Sequence, residues 1–576
     1  MKKSLFVSTT FCFSGLVIFF LLIGQITESN ASEPPIEEDY TKFSKETKPP
    51  IHVVFEVHSH EDKIIREAGG SPYFEERRDV FLSQLEDIDW LLKTTKKHDA
   101  KISFLSVGPW AELCLDEELQ SECFPVIRNL YSSGEMIGTH SHNYKYMGSF
   151  NNWHRDMGDP SGSNTAAYIG FVKLLIEQAL GIEEDEFEIN NVSLAMGTTK
   201  PQDTTLKHQM MEDHGFKIKE GGEEQVFLNY FNHIPYNPYR PGPESLLEDL
   251  DGKILTIPQY PIYDAKVRFG APIDSSIEHQ KSMFLQLYLN WRESDEPKVW
   301  SYGWGSHVHD FEKSETANRE RLPEILSWLS DNFIGEKSPD GKVIAKFSSY
   351  RDVLEDYKKW EVHNPGTSSF NYSLEYTDYS EYPYNKWINQ YLRNTIVVEE
   401  ILMEKDTKVF LLDSNEIPLV LAFSDNPETT LNLSDHFPKK IKKISLANGS
   451  GEFIDPSMIT INSDAHVFCM PRDCQKILED ESGTTMFVVP EWIKETAEMW
   501  ASDKIDNLEF VNAITFLIRA EIIIVPDSSD SVKTPIDKIF PIWVKNTAGW
   551  WADGLIEDKV FVDAIEFLIN QKIIKI

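Results

Sequence analysis

Three pairs of histidines, each spaced by one residue, are the part of this chain best suited to chemistry. His58-Ser59-His60 is followed by Glu61-Asp62, His140-Ser141-His142 follows Gly138-Thr139, and His307-Val308-His309 is followed by Asp310. In a strand, residues i and i+2 point to the same face, so each pair presents both imidazoles together. Two or three imidazoles with a carboxylate form the donor set that zinc and other divalent transition metals prefer. One such pair is a weak signal, because surface histidines fall at this spacing by chance. Three at strand ends, with carboxylates beside them, make a joint one. Glu56 shares parity with His58 and faces the same side, while Phe55 and Val57 face the other. A carboxylate turned inward is costly unless it is used or paired. Its plainer role is an ion pair with a Lys or Arg of a neighbouring strand.

The elements that must position these residues alternate. Short apolar segments at 51–58, 100–107, 135–142, 190–198, 253–259, 298–309 and 343–348 read as strands. Helical periodicity lies between them at 76–97, 118–133, 164–180, 203–214, 276–293, 316–331 and 349–360. This order predicts an α/β fold with a parallel sheet over residues 51–365, closed or nearly closed into a distorted barrel of about seven βα units. In such a barrel, chemistry gathers at the carboxyl ends of the strands. All three histidine pairs fall there.

The remainder of the chain divides further. Residues 366–480 carry short apolar runs separated by turn residues, such as Lys408–Leu412, Pro418–Phe423 and Met458–Ile461, which predict an all-β sandwich. Asn371, Asn432 and Asn448 each begin an Asn-x-Ser sequon, as expected of an outward-facing surface. Residues 486–526 and 537–576 are copies of one another. Pro490-Glu491-Trp492-Ile493-Lys494 matches Pro541-Ile542-Trp543-Val544-Lys545 at an offset of 51, and Trp500 and Phe510 recur as Trp551 and Phe561. Helical spacing in both predicts two small α-helical repeats with their tryptophans in the core. The repeat resembles a helical module of secreted archaeal proteins, which implies attachment to the cell envelope.

Composition bounds the setting. With 576 residues and 41% hydrophobic content, the chain can bury the cores of about three or four folding units. A net charge of −37 repels phosphate backbones and argues against a nucleic-acid partner. Lys2 and Lys3 precede an apolar stretch from Leu5 to Ile26, and Ser29-Asn30-Ala31 offers a small-x-small cleavage site. Residues 1–31 therefore read as a secretory signal, or as a membrane anchor if uncut, and 32–50 as a linker. Either way the protein is expected to be secreted or on the cell surface. The cysteines fit that compartment: Cys114 with Cys123 and Cys469 with Cys474 are two sequence-local pairs suited to small disulfides.

Gly134-Glu135-Met136-Ile137-Gly138-Thr139-His140-Ser141-His142-Asn143 resembles the second motif of the polysaccharide deacetylases. Ile51 to Asp62, Ser193 to Thr199, and Gly305 to Phe311 agree with that family in order and spacing. The resemblance spans about residues 51–360. It implies a distorted (β/α)7 barrel, a carbohydrate substrate, a divalent metal (zinc first) and hydrolysis of an acetyl group. It also implies His58, His140 and His142 as metal ligands, Glu56 as general base, and His307 or His309 as general acid, with His309 preferred. His60, Glu61 and Asp62 stand as reserve ligands, and Arg240 and Trp304 as substrate contacts. The motifs depart from the pattern in three places. Glu56-Val57-His58 replaces an adjacent pair of aspartates, Tyr144 stands where the second histidine is usual, and no arginine accompanies Leu194-Ala195-Met196. Two other functions compete: a glycan-binding surface protein without turnover, and a glycoside hydrolase using Glu56 and Asp310.

Overall fold

The computed structural model describes residues 48–60, 74–141, 144–155, 163–187, 190, 192, 194–198, 204–220, 237–241, 251–257, 260–261, 277–294, 298–366, 385–392, 395–414, 416–426, 428–479, 491–502, 504–507, 510–511, 513–514, 542–552, 561, 564–565 and 568. Residues 1–31, His142, Glu61, Asp62 and Asn371 lie outside them.

Strand β1 (Ile51–His58) is buried at every position, as expected of an apolar strand covered on both faces. The parallel sheet around it contains β2 (Ser103–Ser106), β3 (Met136–Ser141), β6 (Leu194–Thr198), β7 (Phe216–Glu220), β8 (Leu255–Ile257), β9 (Tyr260–Pro261), β10 (Trp300–His307) and β11 (Ala345–Ser348). Its order is β8-β7-β6-β3-β2-β1-β10-β9, with β11 added against β1. β1 pairs with β10 along its whole length, which sets Glu56 opposite Gly305 and His58 opposite His307. Its other edge is divided: β11 takes Ile51–Val54 and β2 takes Glu56–His58.

Side-chain parity separates two packed layers. Val54, Leu105, Met136, Ala195, Ile218 and Leu255 form one apolar cluster inside the curl of the sheet. Val53, Phe55, Val57, Ile137, Met196, Tyr302 and Trp304 join the other, beneath the helices. Those helices are α1 (Phe74–Lys96), α2 (Gly108–Cys114), α3 (Gln120–Ser132), α4 (Ser163–Leu180), α5 (Thr204–Asp213), α6 (Ile277–Glu293) and α7 (Thr316–Asn332). The inner cluster is closed by α8 (Tyr350–His363), which contributes Tyr350, Val353, Leu354 and Tyr357. The inner layer is narrow enough to require glycine. A Cβ on Gly303 would stand 1.8 Å from the Val54 carbonyl oxygen, and one on Gly138 would stand 2.2 Å from that of Ala195.

Two features of the barrel differ from the expected pattern. β7 was not anticipated, although Phe216-Lys217-Ile218-Lys219-Glu220 alternates. The strand expected at 298–309 also ends early, because β10 stops at His307 and a 3-10 turn (Val308–Phe311) follows. A hairpin, β4 (Tyr144–Tyr146) with β5 (Trp153–Arg155), extends from β3 just after the second histidine pair.

After α9 (Lys386–Leu392), strands β12 (Thr395–Met403), β13 (Thr407–Ser414), β14 (Ile417–Ser424), β16 (Ile441–Ser445), β17 (Gly451–Ile454) and β19 (His466–Cys469) form an antiparallel sheet. A two-stranded ribbon, β15 (Thr429–Leu431) with β18 (Ile459–Ile461), covers one face through Leu431, Ile459 and Ile461. The opposite face, with Phe410 and Phe423, packs on α6 and the residues around α7, where Tyr288 and Phe423 rings lie 5.5 Å apart. The sequon residues Asn432 and Asn448 are exposed. Cys114–Cys123 and Cys469–Cys474 form disulfides with Cα separations of 5.5 and 5.6 Å, the second joining β19 to α10 (Pro471–Glu479).

The C-terminal copies share one internal geometry. Trp500 stacks on Phe510 at 3.7 Å and Trp551 on Phe561 at 4.0 Å, with all four rings buried. Their first helices, α11 (Glu491–Ala501) and α12 (Ile542–Ala552), pack together. Lys494 sits 5.8 Å from the Trp551 ring and Lys545 sits 5.7 Å from the Trp500 ring. This reciprocal exchange is what a two-fold relation between equivalent surfaces produces. No helix among the described residues is long and apolar enough to cross a membrane.

Candidate metal centre

Above the inner apolar cluster the inward positions turn polar. Glu56 is fully buried, and both its oxygens lie on Nδ1 of His58, at 3.1 and 3.2 Å. His140 makes the same kind of pair with Glu220, Nδ1 to Oε2 at 3.0 Å. His307 makes a third with Asp310, at 2.9 Å, and Asp310 also accepts the His307 backbone N–H at 2.8 Å. A carboxylate only accepts, so with no metal between the partners Nδ1 is the donor in each dyad. Carboxylates that fix histidine tautomers in this way are the usual support of metal-binding imidazoles.

The imidazoles are contiguous. His58 and His140 stack at 4.0 Å and 7°, and the His307 ring meets His58 edge-on at 4.3 Å. His60 lies edge-on to His307 and His309, at 5.3 and 5.6 Å, and His307 stacks on His309 at 4.6 Å. Below them Tyr350 is fully buried, and burial together with the charges of Glu56 and Glu220 raises its hydroxyl pKa well above the ordinary value.

Two groups have the composition of a metal site. His58, His140 and Glu220 bring one ligand atom each within 4.8 Å of one another, and so do His307, His309 and Asp310. Nitrogen and oxygen donors in this mixture fit zinc or a neighbouring transition metal.

Glu220 was missed in the sequence because β7 was missed. Its inward direction depends on an irregularity: pairing with β6 shifts between Leu194 and Ala195, which aligns Phe216 with Leu194 but Ile218 with Ala195. The shift turns Ile218 and Glu220 inward together. A second unanticipated support is Glu112 on α2, which accepts from Asn151 N at 2.9 Å and Trp153 Nε1 at 2.8 Å. It anchors the β4–β5 hairpin that continues the chain from β3. Burial raises its pKa, with those hydrogen bonds opposing the shift.

Several expected residues stand elsewhere. Trp304 is fully buried in the helix-facing layer, with Nε1 donating to Gln280 at 2.9 Å, so it packs and does not contact a substrate in the barrel. Arg240 is held by Glu361 through Nε and Nη2, at 2.6 and 2.9 Å, and by the Lys253 carbonyl; it ties the segment before β8 to α8. Glu56 is engaged with His58. His309 lies in the turn after β10, with 30% of its side chain exposed against 9%, 5% and 8% for His58, His140 and His307.

No protein-family model matches the chain, and no curated protein matches it. Among solved structures it is similar to a probable polysaccharide deacetylase from Pseudomonas aeruginosa PAO1, at 15% identity and TM-score 0.35, over 55% of this chain and 93% of that one. It is also similar to the PuuE allantoinase, at 16% identity and TM-score 0.35, over 55% and 92% of the two chains. A putative glycoside hydrolase/deacetylase from Parabacteroides distasonis has 9% identity and TM-score 0.36, over 72% and 86%.

Proposed function

We propose that this protein is a metal-dependent hydrolase that removes acetyl groups from a carbohydrate outside the cell. The observation that carries the reading is the stacked pair His58 and His140, His58 backed by the fully buried Glu56, with Glu220 beside His140 completing a donor set at the carboxyl ends of the strands. A divalent metal, zinc by its donor chemistry, supplies Lewis acidity for an acyl carbonyl and activation of water.

The chain's own residues then divide the remaining work. Glu56 holds the His58 tautomer and is a positioning residue in place of the general base implied by the family resemblance. Glu220 is instead counted among the ligands, beside His58 and His140. His309 is open enough to carry a proton to the departing sugar amine or hydroxyl, and Asp310, 3.8 Å from its Nε2, balances the imidazolium. The two disulfides support an oxidising compartment. A glycoside hydrolase would need two available carboxylates over the sugar, whereas Glu56 and Asp310 are both committed to histidines.

Acetate release from N- and O-acetylated oligosaccharides by zinc-loaded protein tests the reading. His140→Ala should lower the rate by about a thousandfold, near 4 kcal/mol of transition-state stabilisation. Release that survives this substitution unchanged would overturn the assignment.

A further inference from the structure

The second donor group adjoins the first but belongs to different elements. His307 ends β10, while His309 and Asp310 lie in the turn that follows. Their ligand atoms lie within 4.8 Å of one another, and the His58–His307 ring contact of 4.3 Å brings the two groups side by side. Asp310 draws this trio together by accepting from both His307 nitrogens, backbone and ring, which fixes the turn and brings the two imidazoles into a stack. Two imidazoles and a carboxylate are again a complete protein donor set for a transition metal with one position left open.

We propose that His307, His309 and Asp310 form a second site for a divalent transition metal, and that filling it removes His309 from proton transfer. The inference rests on the hydrolase reading above and adds a regulation of the same site. A histidine bound through its lone pair cannot carry a proton there, so a second metal silences the acid while leaving the first metal in place. The second site is the weaker of the two. His309 is the most exposed of these ligands, at 30%, and Asp310 already has one oxygen, Oδ2, engaged by His307. Activity should therefore rise with the first equivalent of metal and fall with the second.

Equilibrium dialysis of the full-length protein against cobalt(II), with metal counted per chain, reads this directly. Two equivalents are expected, the second binding at least about tenfold more weakly, with magnetic coupling between the two ions in the electron paramagnetic resonance spectrum. His309→Ala and Asp310→Asn should each lose only the weaker equivalent, and His140→Ala only the tighter. A single equivalent at saturation overturns the second site and leaves the first reading standing. Retention of both equivalents in His309→Ala and Asp310→Asn also overturns it. Absence of any bound metal overturns both.

Discussion

Glu56 and His58, two residues apart on β1, face inward together, and the carboxylate lies on the imidazole Nδ1 through both of its oxygens. A fully buried carboxylate held in this way fixes a tautomer and has little freedom to collect a proton from water. Glu56→Gln should therefore weaken metal binding by about 10–100-fold, as loss of such a support does. Competition with a chelator measures it. Unchanged metal affinity with abolished turnover would instead make Glu56 the base.

The pairing of β1 with β10 sets the His58–His307 contact and depends on Gly303. Its added Cβ would meet backbone atoms of Val54, which cannot swing away. Gly303→Ala should cost about 3 kcal/mol or more and lower metal affinity with it. A thermal unfolding midpoint matching wild type would show that the strands can separate without loss.

His52, also inward on β1, is fully buried and bonded through Nδ1 to Ser348 at 2.9 Å. Burial, reinforced by the charge of Lys346, lowers its pKa to about 3, so the folded protein holds it neutral. The unfolded chain takes up a proton near 6.5, and so binds more protons than the native state between about 3 and 6.5. Stability should rise with pH through that window, by up to about 1.4 kcal/mol per unit, and level off above it. Urea midpoints between pH 4 and 7 should show the slope, and His52→Gln should flatten it.

In the C-terminal copies, Trp500→Ala should cost about 3–5 kcal/mol locally, since it removes a fully buried ring stacked on Phe510. Lys545→Ala, which removes the contact with the Trp500 ring across the pseudo-two-fold, should cost about 0.5–1 kcal/mol. Hydrogen exchange of α11 and α12 compares the two. Equal effects would mean that the paired helices depend on the lysines as much as on the core.

Much of this arrangement was legible in the sequence because parity is a local property. β1 has the predicted bounds, and its Val54 and Phe55 separate into inner and outer layers as alternation requires. The same logic could have removed Trp304, which lies three residues before His307 and so on the opposite face. Parity failed where the backbone stopped being regular. The shift at Leu194–Ala195 hid the direction of Glu220, and the 3-10 turn took His309 off the strand. Arg240 could not be read, because Glu361 lies 121 residues away and only the fold brings them together.

The most direct test of the central claim is the zinc content of the full-length protein beside a Glu220→Ala variant, both dialysed against limiting zinc. The account predicts one tightly held equivalent in the wild type and its loss, or weakening by at least about tenfold, in the variant. A wild type without zinc, or a variant that holds it equally well, would contradict the centre described by His58, His140 and Glu220.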